Sequence, residues 1–279
     1  MMDRFYYQVH GPENARKWVF LHGLMGFAAN WRKVTRALEN TERTLAYDQR
    51  GHGRSFKPSQ GFGPYDYSHD LLAILDHLGW DRIVLVGHSM GGRNALAFAS
   101  EHPERIEKLI IEDIGPEAQP ENYLHFQKLL GQVPAPFRSR EEAKHFLFGE
   151  FVKNFQGHED PRVMADYFYA NMTETSEGTV SWRFSPEAIV ATAREGRMQD
   201  YWGLVENLSV PTLWIRGENS VELPKAVYER VLAMNSRIRG HVIQDAAHWV
   251  HADQPEAFIK IIKEFVGVPS NISYKAPKE

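Results

Sequence analysis

Short, mostly apolar runs alternate with amphipathic stretches through residues 1–115. Lys17-Trp18-Val19-Phe20-Leu21, Thr44-Leu45-Ala46-Tyr47, Ile83-Val84-Leu85-Val86 and Lys108–Glu112 have the length and character of strands covered on both faces. Asp3–His10 reads as an edge strand with Gly11-Pro12-Glu13-Asn14 as its turn. Helices are expected around Trp31–Leu38 and Tyr67–Leu78, the second capped by Asp66 or Ser68 and stopped at Gly79. Strands that alternate with helices predict an α/β protein with a mainly parallel central sheet flanked by helices.

The rhythm breaks over 116–206, where helical patterns at Tyr123–Leu130, Arg140–Phe155, Pro161–Ala170 and Pro186–Asp200 follow one another without such strands. This stretch is rich in aromatics, among them Phe126, Phe151, Phe168, Trp182 and Phe184. The expected division is a core of 1–115 and 207–279 with a helical cap of 116–206 inserted between the two parts. Ligands of open α/β sheets bind at the carboxyl ends of the strands, where such a cap sits. Strands at Pro211–Ile215 and Arg239–Ile243, and helices at Pro224–Ala233 and Gln254–Val266, complete the core. The tail Pro269–Glu279 reads as polar and mobile.

A formal net charge of −4 argues against nucleic acid as the main partner. No apolar stretch approaches the ~18 residues of a membrane span, and the N-terminus lacks the apolar core of a signal peptide. The chain has no cysteine, which excludes disulfides, a thiol nucleophile and thiolate metal sites, and fits a cytoplasmic protein. Its 13 histidines show no ligand spacing such as H-E-x-x-H, so metal binding is not expected.

The chemistry concentrates at Gly87-His88-Ser89-Met90-Gly91. A strand precedes this pentapeptide and a helix follows it at once, the setting of a nucleophile elbow. A serine hydroxyl needs a base to take its proton, and that base needs a group to hold it. His248, in the loop before the last helix, is the expected base, with His251 as competitor. The acid customarily follows the strand Leu213-Trp214-Ile215, at the fourth position of Gly-x-x-Asp, but this chain has Gly217-Glu218-Asn219-Ser220. Asp113, at the end of the strand neighbouring the nucleophile strand, and Glu218 are the two candidates, with Asp113 favoured. Oxyanion donors are expected from the backbone N–H groups of Met90 and Leu24. His22, Gly23, Trp182 and Trp249 are candidate substrate contacts. The charged loop Asp48-Gln49-Arg50-Gly51-His52-Gly53-Arg54-Ser55 is expected to be structural, held by its own ion pairs.

Together, His22-Gly23, Asp48–Gly53, Gly87–Gly92 and the late His248 resemble the α/β-hydrolase superfamily over essentially the whole chain. Asp113-Ile114-Gly115-Pro116, Gly217-Glu218-Asn219-Ser220 and His248-Trp249-Val250-His251-Ala252 are similar to the YbfF-type esterases. That resemblance implies a cap after the sixth strand, the acid role for Asp113 and an auxiliary role for Ser220. It also implies hydrolysis of acyl esters or acyl thioesters through an acyl-serine, without cofactor; a monomer or homodimer is expected. Carbon–carbon hydrolases and menaquinone-pathway-type lyases share the same Ser-His-acid set, and Gly91-Gly92-Arg93 is compatible with them. Dehalogenases and epoxide hydrolases of this fold need an aspartate where this chain has Ser89. Non-catalytic binding modules of the fold need not keep elbow, base and acid together.

Overall fold

The apolar runs become strands in the computed structural model, which describes residues 2–157 and 160–268. They are β1 (Tyr7–His10), β2 (Lys17–Leu21), β3 (Arg43–Tyr47), β4 (Ile83–His88) and β5 (Ile106–Glu112), then β6 (Met172–Glu174), β7 (Val180–Trp182), β8 (Thr212–Gly217) and β9 (Ile238–Ile243). Seven of them form one sheet in the order β1-β3-β2-β4-β5-β8-β9, parallel except for the β1–β3 pair. β4, which leads into Ser89, is central and buried along its whole length. The strand before the insertion is the fifth along this chain, one fewer than the sixth position the resemblance implied, because a single strand precedes β2.

Helices α1 (Arg32–Leu38), α2 (Pro64–Leu78) and α3 (Met90–Glu101) join the early strands. α4 (Asn122–Gly131), α5 (Arg140–Phe146), α6 (Val152–Asn154), α7 (Pro161–Ala170), α8 (Pro186–Glu195) and α9 (Trp202–Glu206) lie between β5 and β8, with the β6–β7 hairpin among them. The sheet resumes with α10 (Lys225–Met234), α11 (Val250–Asp253) and α12 (Pro255–Val266). The two-residue period of a strand divides the sheet's side chains between two cores. Val19, Leu21 and Leu85 pack with Ile74 and Leu96 on one face. Trp18, Phe20, Val84 and Val86 pack with Val34, Phe258 and Ile262 on the other. A third cluster, with Leu129, Phe151, Phe168 and Met172, belongs to the inserted segment and takes in Met25 from the loop after β2.

Several boundaries differ from the sequence reading. α2 begins at Pro64, which suits the first helical position because its missing N–H is one the helix leaves unpaired anyway. Asp66 therefore stands within the first turn and accepts the Gly63 N–H, while Ser68 bonds Glu101 instead of capping the helix. α8 stops at Glu195 rather than Asp200. The inserted segment contains the short β6–β7 hairpin as well as helices. Its last helix, α9, contributes Val205 to the sheet's own core. Polar ties anchor this segment to the rest of the chain, among them the Tyr67 and Thr192 hydroxyls, which meet at 2.7 Å, and Tyr167, which donates to the Leu24 carbonyl at 2.9 Å. The polar tail expected at Pro269–Glu279 lies outside the described residues.

Candidate active site

β4 ends in a turn that only close packing permits. Ser89 has φ 52° and ψ −117°, a left-handed conformation that costs a non-glycine residue energy. α3 starts at the next residue. The turn is pinned from below, since Ser89 N donates to the Glu112 carbonyl at 2.9 Å. A Cβ on Gly87 would stand 2.3 Å from the Gly91 carbonyl oxygen, so the elbow requires glycine there. The loop after β2 presses against it from the side. A Cβ on Gly23 would lie 2.7 Å from His88 Nδ1 and 3.4 Å from the Ser89 Cβ. Leu24 and Met90, the expected oxyanion donors, both line the cavity at Ser89.

The end of β5 supplies two consecutive, fully buried carboxylates, Glu112 and Asp113. A strand would send neighbouring side chains to opposite faces; the φ of 51° at Asp113 breaks that alternation. His248 Nδ1–H donates to Asp113 Oδ2 at 2.8 Å, and His248 Nε2 stands 3.0 Å from Ser89 Oγ. Asp113 also accepts the Gly217 N–H at Oδ1 (3.0 Å) and the Ser220 hydroxyl at Oδ2 (2.5 Å). Burial pulls the His248 pKa down, but the hydrogen bond and charge of Asp113, with Glu222 and Glu112 adding, hold it above 6.5.

Glu218 is turned elsewhere: it is exposed, and its carboxylate accepts the Asp245 N–H at 3.2 Å. His251 lies in α11 and is engaged by Glu112, at 2.8 and 2.9 Å from Nδ1 to the two carboxylate oxygens. His88 donates from Nε2 to the His248 carbonyl at 2.9 Å. Ligand-type atoms of His88, Glu112 and His251 lie within 4.8 Å of one another, a buried grouping that linear spacing does not announce.

Of the four candidate substrate contacts, Trp249 lines the Ser89 cavity. Trp182 does not. It stacks on Phe184 at 4.9 Å and faces a separate groove on the inserted segment. His22 is structural as well: its Nε2 accepts the Gln49 N–H at 3.0 Å and its Nδ1–H donates to the Gly23 carbonyl. Gly23 adjoins the elbow without lining the cavity. The loop 48–55 is held chiefly by backbone donors, Ala28 N and Arg54 N, on Asp48. Arg50 pairs with Asp70 and Asp66 of α2 rather than with a partner within the loop.

The cavity above Ser89 encloses about 800 Å³. Leu24, Met25, Leu129, Met164 and Tyr167 make much of its wall apolar. Arg93 also lines it, buried, with its Nη atoms on the Gly196 and Glu117 carbonyls and its Nε without a hydrogen-bond partner among the described residues. Burial pushes the Arg93 pKa down to about 9, with nearby Arg197 adding to the effect. No helix among the described residues is long and apolar enough to cross a membrane.

A parallel sheet with a serine elbow, an imidazole and a buried acid at its strand ends defines a class, and the chain belongs to the α/β-hydrolase fold family, whose model matches residues 19–255. Within that family it resembles the YbfF-type esterases: it is 25% identical to the Escherichia coli esterase YbfF over 254 residues, covering 89% of this chain and 92% of the relative. It is also 28% identical over 255 residues to a 2-(acetamidomethylene)succinate hydrolase of Mesorhizobium japonicum, covering 89% and 87%. Among solved structures, a marine microorganism esterase superposes with a TM-score of 0.80 at 24% identity, covering 94% of this chain and 99% of that one. Relatives of this kind make the protein a hydrolase.

Proposed function

We propose that this hydrolase cleaves carboxylic esters or acyl thioesters through an acyl-serine intermediate. The observation that carries the reading is the Ser89–His248–Asp113 chain, with contacts of 3.0 and 2.8 Å, at a cavity with a largely apolar wall. In this reading Ser89 Oγ attacks the acyl carbonyl while His248 Nε2 takes its proton. Asp113 keeps the Nδ1 proton in place and offsets the charge of the imidazolium that forms. The N–H groups of Met90 and Leu24 receive the oxyanion, each worth ~10²–10³ in turnover. His248 then protonates the leaving alcohol or thiol. Water, deprotonated by the same imidazole, attacks the acyl-serine and releases the acid and the free Ser89 hydroxyl. Residues 116–206 act as the cap that excludes bulk water, and Trp249 contacts the substrate.

A second reading has one observation in its favour. Arg93, buried in the cavity wall with an Nε that has no hydrogen-bond partner among the described residues, suits a substrate that carries a carboxylate, as carbon–carbon hydrolases and the related lyases require. Assays of p-nitrophenyl butyrate and a butyryl thioester beside a vinylogous diketone acid separate the two. Ser89-dependent turnover of the acyl substrates supports the ester reading. Turnover confined to the diketone acid overturns it.

A further inference from the structure

The mechanism uses one of the two carboxylates at the end of β5 and one of two histidines three residues apart, His248 in the facing loop and His251 in α11. The other pair is built to the same pattern. Glu112 is fully buried and His251 is 5% exposed. Glu112 Oε1 accepts the His251 backbone N–H at 2.8 Å, and the His251 Nδ1–H lies 2.8 and 2.9 Å from the two carboxylate oxygens. The far face of the His251 ring stacks on Trp31, with centroids 4.2 Å apart and planes 25° from parallel. His88 fills the space between the two histidines, its ring 4.7 Å from His248 and 5.1 Å from His251.

A fold that needed only a filled space here would do as well with apolar side chains, since a buried polar pair is often no more stabilising than its hydrophobic replacement. What the pair adds is orientation. The loop backbone is already tied by Glu218 to the Asp245 N–H and by His88 to the His248 carbonyl, and His248 itself by Asp113. The bonds from Glu112 to His251 add a tie on the far side of His248, to the residue of β5 adjacent to Asp113. Glu112 also holds the nucleophile, because its carbonyl accepts the Ser89 N–H. One residue thus ties the serine turn and the histidine loop to a single strand end.

We infer that Glu112 and His251 are positioning residues, a second carboxylate–imidazole clamp that fixes the His248 loop so that Nε2 stays on Ser89. The inference rests on the acyl-serine reading above. Neither side chain lines the cavity, so the clamp acts through His248 rather than on substrate.

The test replaces the pair together, Glu112→Leu with His251→Phe, which leaves no buried charge alone and keeps a ring on Trp31. The clamp predicts a Tm close to wild type, kcat on p-nitrophenyl butyrate lower by about tenfold or more, and KM within about twofold. The single variant His251→Asn, whose amide places a donor near the Nδ1 position facing native Glu112, should keep most of kcat. Unchanged kcat in the double variant overturns the proposal. Should that variant fail to fold, Glu112→Gln and His251→Phe are read singly, and wild-type kcat in both overturns it equally. A wild-type enzyme without Ser89-dependent turnover refutes the acyl-serine reading instead. The clamp is then judged by the His248 Nδ1–H resonance, which must exchange with water faster in the double variant, and an unchanged exchange rate refutes it.

Discussion

Ser220 donates its hydroxyl to Asp113 Oδ2 at 2.5 Å, the same oxygen that accepts the His248 Nδ1–H at 2.8 Å. The serine therefore competes with the imidazole for one carboxylate oxygen while fixing where that oxygen points. Ser220→Ala should leave Asp113 more basic and less restrained. The expected result is a several-fold loss of kcat and an acid limb of the pH–rate profile moved to higher pH. A profile identical to wild type would show that Ser220 is only a loop residue.

In the proposed mechanism the pH dependence of the wild type follows from His248. Asp113 holds its pKa above 6.5 despite burial, and only neutral imidazole can act as base. Activity should therefore fall with decreasing pH through a midpoint above 6.5. Removing the carboxylate charge with Asp113→Asn should move the midpoint of the residual activity downward. Values of kcat/KM recorded from about pH 5 to about pH 9 check both statements.

Stability should follow a different group of histidines. Burial is the largest influence on His22, His52 and His88, and all three titrate below 6.5 in the fold, His52 at about 4. The unfolded chain takes up these protons first, so their contribution is intact above pH 6.5 and is lost as pH falls toward the folded values. The shift of His52 alone, from 6.5 to about 4, corresponds to ~3 kcal/mol once fully lost. His248, shifted the other way, opposes this loss only in part. Thermal unfolding between about pH 7 and about pH 4 should show a falling Tm, and a Tm flat across that range would contradict it.

Arg93 offers a test of substrate charge. Exchanging it for methionine should leave KM for the neutral p-nitrophenyl butyrate within about twofold and raise KM for an ester bearing a distal carboxylate by about tenfold. Equal effects on both esters would mean that Arg93 serves the fold and not the ligand.

Much of this was legible in the linear pattern, and the failures have physical causes. The two-sided burial of β4 and the tight turn at Ser89 both leave local traces, apolar residues before the turn and glycines around it. The approach of His248 to Ser89 was readable because loop position and chain order confine the late histidine to that end of the sheet. The acid was harder, since Asp113 reaches His248 through a left-handed backbone at a strand end, which no local propensity announces. Glu112 escaped notice for a related reason. As the last residue of a buried strand it looks like an error of patterning until His251 arrives from 139 residues away. Trp182 was misplaced because an aromatic in an inserted segment faces either the cavity or its own core, and sequence carries no sign of which.

The central claim is the displaced acid, and hydrolysis of p-nitrophenyl butyrate by wild type, Ser89→Ala, Asp113→Asn and Glu218→Gln measured side by side tests it most directly. The account predicts that Asp113→Asn loses about 10³–10⁴ in kcat, that Ser89→Ala is at least as impaired, and that Glu218→Gln stays near wild type. A dead Glu218→Gln beside an active Asp113→Asn would contradict it.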